Sequence, residues 1–232
     1  MSDAAHKVES LKHIPVFPLP LVLLPGELLP LHIFEPRYKQ MLLDIEQEHK
    51  MFGISLLETE TAGLDRPEIG SIGCVAEVHE VQPVSDGRSN IKTLGVIRYR
   101  ILEFVDLGKP YLTAAVEFFE DAKEDETALA TAAEEIFGLF ERVARAAFDL
   151  SGSRGQFPEL QRSDPERLSF AVSAAFSFDN EVKYGLLKLE STLDRFDRLR
   201  DILRSAVGRM EESAAIHKVA QHNGHSKSKI DL

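Results

Sequence analysis

The chain has 232 residues, 44% of them hydrophobic, with one cysteine and a formal charge of −11. That apolar content supports a real core and excludes a disordered chain, while a lone cysteine, Cys74, excludes a disulfide framework and any multi-cysteine metal site. The charge argues against a general nucleic-acid binder, whose affinity rests on neutralising phosphates. No run of about 18 apolar residues is present to span a membrane. The opening MSDAAHKVES lacks the apolar centre of a secretory signal, so the expected location is the cytoplasm.

The stretch Val16–Tyr38 carries prolines at positions 18, 20, 25, 30 and 36, too many for a helix, because each lacks an N–H and clashes with the preceding turn. It predicts a strand to Leu19, a turn at Pro25-Gly26, a second strand over Leu28–Phe34 and a helix opening near Pro36. Tyr38, Met41, Leu42 and Ile45 then recur at helical spacing. Phe52–Leu57 is a short apolar strand, and residues 58–70 form a polar loop. Strand character resumes over Ile69–Val84, with a bulge expected near Glu80 where the alternation breaks. Asp86-Gly87 predicts a tight hairpin turn. A long strand follows over Ile91–Val105, bending at Gly95, and Tyr111–Phe119 closes the β-rich part with Leu112, Ala114, Val116 and Phe118 on one face.

Acidic residues cluster at 120–126 and mark a boundary. Beyond it lie a long amphipathic helix to Leu150, a helix over Leu168–Phe176 with a capping box at Ser163 and Glu166, a short helix capped by Asp179, and a long one capped by Ser191. The expected organisation is α+β: a bent β-unit over 11–120, a helical bundle over 121–213 and a flexible polar tail over 214–232.

One pattern in this chain is specific. Phe17-Pro18-Leu19, Pro25-Gly26, Pro30-Leu31, Ile33-Phe34-Glu35 and Arg37-Tyr38 together resemble the start of the N-terminal, substrate-binding domain of Lon proteases, which also occurs as a stand-alone protein in bacteria. The resemblance implies a PUA-like β-barrel followed by helices, with a role in holding protein substrates or partners. The ATPase and Ser–Lys peptidase portions of Lon have no counterpart in these residues, and no G-x-x-x-x-G-K-[ST] loop is present.

Tests for chemistry return little. Histidines are scattered singly apart from His217, His222 and His225 in the tail, where a solvated segment is the expected state. Glu77 and Glu80 lie in a strand and suggest solvent exposure rather than paired acid–base work. Arg98-Tyr99-Arg100 alternates base and aromatic but places both arginines on one strand face and Tyr99 on the other, which disfavours RNA contact. No catalytic residue, cofactor or metal is expected. The candidate protein-binding residues are Phe34, Arg37, Tyr38, Phe118 and Phe119, because aromatic and arginine side chains often anchor interfaces. The bland alternative for Arg37 is an ion pair fixing the helix. The expected partner is a polypeptide gripped through exposed apolar segments. A structural or regulatory homo-oligomer or adaptor is the alternative, an RNA-binding PUA-like protein or an enzyme is the third and less favoured reading, and no membrane is expected.

Overall fold

The computed structural model describes residues 2–57, 66–151 and 162–224, with side chains to residue 213 except residue 211. Contacts divide the chain into two compact units, Met1–Ala122 with Ser173–Glu190, and Lys123–Val172 with Ser191–Leu232.

The first unit is built from α1 (Asp3–Val8), β1 (His13–Leu19), β2 (Leu28–Ile33), α2 (Pro36–Glu46), β3 (Met51–Leu56), β4 (Ile72–Pro83), β5 (Ser89–Phe104) and β6 (Leu112–Phe119). The sheet runs β2-β5-β4-β3-β1-β6 and closes through a β5–β6 pairing, giving a five-stranded barrel with β2 outside the closure. β1 and β3 are parallel, and every other pair is antiparallel. β5 serves two partners along one edge: Ser89–Leu94 pair with β2, whereas Arg98–Phe104 pair with β6. Gly95 marks the changeover. A Cβ there would sit 2.1 Å from the Leu24 carbonyl oxygen, so the Pro20–Glu27 segment approaches only because that side chain is missing.

Period-2 alternation separates two cores in this unit. Ile14, Val16, Met51, Val75, Ile97, Tyr99, Ile101 and Ala114, drawn from all five closing strands, face the barrel interior, and Val8 of α1 joins them. Tyr99 is fully buried there and shares a 2.7 Å hydrogen bond with the Ser55 hydroxyl. Gly53 and Gly73 flank its ring, where a Cβ on either would come within 2.6 Å of Tyr99 atoms. Phe17, Tyr38, Met41, Leu42, Ile45, Phe52, Ile54 and Cys74 form the second core, between the opposite strand face and α2. The Cys74 thiol is fully buried, which pushes its pKa up and removes it from thiolate chemistry.

α5 (Asn180–Lys188) lies inside the 121–213 span by sequence but packs with the barrel. The cause is Arg98, only 1% exposed, whose guanidinium donates to the Leu187 and Leu189 carbonyls at 3.2 and 2.5 Å and pairs with Asp121. Lys183 of the same helix reaches the Glu27 carboxylate at 2.6 Å and the Val22 carbonyl at 3.2 Å, and Asn180 donates to the Pro20 carbonyl. These bonds hold the loop that leads into β2.

The second unit contains α3 (Glu126–Leu150), most of α4 (Pro165–Ala174) and α6 (Thr192–Gly224). α3 and α6 bury Ala132, Ile136, Val143 and Ala146 on one side and Phe196, Leu199, Leu203 and Val207 on the other. Glu135 bridges Arg200 and Arg204 at 3.0 and 2.8 Å. Buried Arg195 stacks over Phe170 at 3.9 Å and donates to Ser169 at 2.7 Å.

Caps follow the sequence with two differences. Asp179 accepts from the Val182 amide and Ser191 from the Asp194 amide as expected. At α4, Asp164 rather than Ser163 is the acceptor, taking the Arg167 amide at 3.0 Å. At α6, Glu124, distant in sequence, adds its carboxylate to the Thr192 and Leu193 amides, so a negative charge sits at a helix N-terminus. The α6 backbone continues as helix to Gly224, past the start of the expected tail, while residues 225–232 lie outside the described ones.

Candidate functional site

β2 is the sheet's edge strand, and its exposure alternates with the pleat. Leu29 and Leu31 pack partly against the α2-side core and Ile33 is buried in it. Leu28, Pro30 and His32 face solvent, and Phe34 continues their parity just beyond the strand end. Leu28 is 71% exposed and Phe34 58%, large values for apolar side chains on one strand face. The His32 and Phe34 rings stack at 6.0 Å, and His32 Nδ1 lies 2.7 Å from the Asn90 Oδ1 atom on β5. The row Leu28, Pro30, His32, Phe34 is therefore ordered and carries no carboxylate.

The five residues singled out by sequence do not converge. Phe34 lies at the end of that row. Arg37 follows it on the first turn of α2, bonded to Glu35 at 3.0 Å through Nε, with its guanidinium 4.7 Å above the Tyr38 ring. Tyr38 itself is 4% exposed and stacks on Phe17 at 3.8 Å between ring centres, so it is core rather than surface. Burial raises its hydroxyl pKa, with Arg37 opposing. Phe118 packs half-buried with the barrel interior, and Phe119 turns to the outside beneath Arg98 and Arg100. Because β6 pairs with the far half of β5, Phe119 opposite Arg98 lies roughly 30 Å along β5 from the Phe34 end. Leu28 and His32 were missed, although the spacing L-x-P-x-H-x-F from 28 to 34 shows them on Phe34's face.

Other chemistry finds no constellation. Arg98 is taken up in holding α5, and Arg100 pairs with Glu190 at 2.9 Å, so this stretch presents no basic groove. No group of three or more metal-capable side chains occurs among the described residues; the side chains of His217 and His222, and all of His225, lie outside them. Glu77 pairs with Lys7 at 2.7 Å, and Glu80 with Lys92 at 2.6 Å. A cavity of about 250 Å³ opens beside the end of α2, with an apolar floor of Leu42, Ile45, Val78 and Val81 and with Lys50 and His79 at its rim. The bulge expected near Glu80 is present, between Val78 and Glu80. No helix among the described residues is long and apolar enough to cross a membrane.

These features define an α+β protein with a PUA-like bent barrel, an open edge strand and helices in a second unit. The family model for the ATP-dependent protease La (LON) substrate-binding domain matches residues 13–205, and the chain belongs to that family. It is similar to a Lon protease of Parabacteroides distasonis, 31% identical over 118 residues, covering 49% of this chain and 14% of that protein. Lon protease 1 of Herpetosiphon aurantiacus is 24% identical over 218 residues, covering 84% of this chain and 26% of its own length. The chain thus spans about a quarter or less of these two relatives. The solved N-terminal domain of the Mycobacterium avium complex Lon protease shares the fold, with a TM-score of 0.60 at 20% identity over 83% of this chain and 98% of that one.

Proposed function

We propose that this chain is a non-catalytic recognition module that holds exposed apolar segments of other polypeptides on the outward row of β2. The observation that carries this is the pair Leu28 and Phe34, both more than half exposed, on one face of an edge strand. Burying two such side chains under a partner's apolar residues stabilises association by about 1.5–3 kcal/mol each before ordering costs. Arg37, held by Glu35, stands at the end of the row as a polar rim. Membership of a substrate-binding domain family supports the same role. The family model that matches is that of the substrate-binding domain, which supports reading the work of this chain as binding.

The test is fluorescence anisotropy with a labelled, permanently unfolded apolar polypeptide. Leu28→Ser and Phe34→Ser, both surface changes, are expected to weaken binding about 10-fold each. Affinity unchanged in the double variant contradicts the assignment.

A further inference from the structure

The backbone of β2 says more than its side chains. At the start of the strand, the Gly26 N–H donates to the Gly95 carbonyl at 2.8 Å and the Gly95 N–H to the Glu27 carbonyl at 2.9 Å, with Gly26 at φ +78°. This is a bulge with glycine in the left-handed region, and it sets the parity of everything after it. Antiparallel neighbours alternate between bonded and non-bonded pairs. Following Glu27 opposite Gly95, the residues bonded to β5 are Leu29, Leu31 and Ile33, and those turned outward are Leu28, Pro30 and His32. Pro30, which has no N–H to give, is compatible only with the outward set. No strand lies beside that outer edge among the described residues. It offers N–H and C=O from Leu28, C=O from Pro30, and N–H and C=O from His32.

We infer that the partner polypeptide joins β2 as an added strand, its main chain bonded to Leu28, Pro30 and His32 and its alternating side chains lying against Leu28 and Phe34. This rests on the reading that the row receives polypeptide, and adds the mode. The occupant is a foreign, neutral-to-basic segment. A two-fold pairing of β2 on β2 places two prolines in the seam and loses two N–H donors, where a foreign strand meets only one such gap. The charge of −11 also sets one copy against another and disfavours an acidic strand. Backbone bonding supplies affinity with little demand on partner sequence, while the exposed row selects apolar side chains at alternate positions.

The probe is a labelled nine-residue peptide of alternating valine and threonine with lysine at each end, titrated by anisotropy. Two further versions carry N-methyl groups on odd or on even amides, removing donors on one edge at a time. At least one methylated series is expected to bind about 10-fold more weakly, and Leu28→Asp, at a solvent-facing position, is expected to weaken the parent peptide as much. Pro30→Thr, which restores an N–H to the open edge, is expected to tighten binding about 3-fold or more. Both methylated series binding like the parent overturns strand addition while leaving polypeptide recognition standing. No binding of the parent peptide overturns recognition itself. A loss on methylation with Leu28→Asp unaffected moves the site elsewhere and overturns the assignment to β2. A dimer that the peptide displaces overturns the choice of occupant.

Discussion

Asp44 ties α2 to the connection between β5 and β6, and its titration measures the strength of that tie. Its carboxylate accepts from Lys109 Nζ at 2.8 Å, from the Tyr111 hydroxyl at 2.7 Å and from the Gln40 amide at 2.8 Å. The bonds from Lys109 and Tyr111 favour the charged form and hold the carboxyl at about 2, below its ordinary 3.8. A depressed folded pKa means that the stabilisation is complete above the unfolded value and is lost as pH falls from roughly 4 towards 2. At 1.36 kcal/mol per pKa unit the shift corresponds to about 2 kcal/mol. The Asp44 side chain is 20% exposed, and solvent screening brings the expected figure to about 1–2 kcal/mol. Asp44→Asn is therefore expected to lower stability by about 1–2 kcal/mol at neutral pH and by progressively less below pH 4. Urea unfolding of both proteins by far-UV circular dichroism reads this as a difference, in which the other titrating groups cancel. A deficit that stays constant down to pH 2.5 refutes the assignment of the pKa shift to the Lys109–Asp44–Tyr111 cluster.

Three other outcomes follow from the packing. Gly73→Ala is expected to destabilise the barrel by about 1–3 kcal/mol, since its Cβ would meet the Ile54 carbonyl oxygen at 2.4 Å and the Tyr99 ring at 2.5 Å; thermal unfolding checks this. Arg98→Met removes the guanidinium from the nearly buried Asp121 and from two carbonyls of the α5 end, with an expected cost of about 3–5 kcal/mol and faster amide exchange over residues 180–190. Cys74 is expected to resist thiol-modifying reagents in the folded protein and to react stoichiometrically in denaturant; fast labelling under native conditions contradicts its burial.

The fold was legible where local chemistry decides it. Prolines and Gly26 punctuated the opening into strand, turn and strand, and Asp86-Gly87 made the hairpin turn, both residues at positive φ of 64° and 66°. Alternation in β6 placed Ala114 and Phe118 on the interior side. What stayed hidden depended on partners remote in sequence. Nothing local to Arg98 says that it will bond carbonyls some ninety positions away, nor does anything local to α6 say that Glu124 will join Ser191 in capping it. The site was half legible for the same reason. Phe34 and Tyr38 look alike in an apolar stretch, but the chain turns from strand to helix between them, leaving Phe34 in solvent and stacking Tyr38 on Phe17. Exposure of Leu28 and His32 required knowing that, among the described residues, β2 has a neighbouring strand on one side only.

The most direct measurement is amide and methyl shift mapping by NMR on the intact chain while an unfolded apolar polypeptide is added. The account predicts that perturbations concentrate at Leu28, Leu29, Leu31, His32 and Phe34, with slowed amide exchange at Leu28 and His32. Perturbations confined to the second unit, or to the cavity beside Leu42 and Val81 with β2 silent, would contradict it.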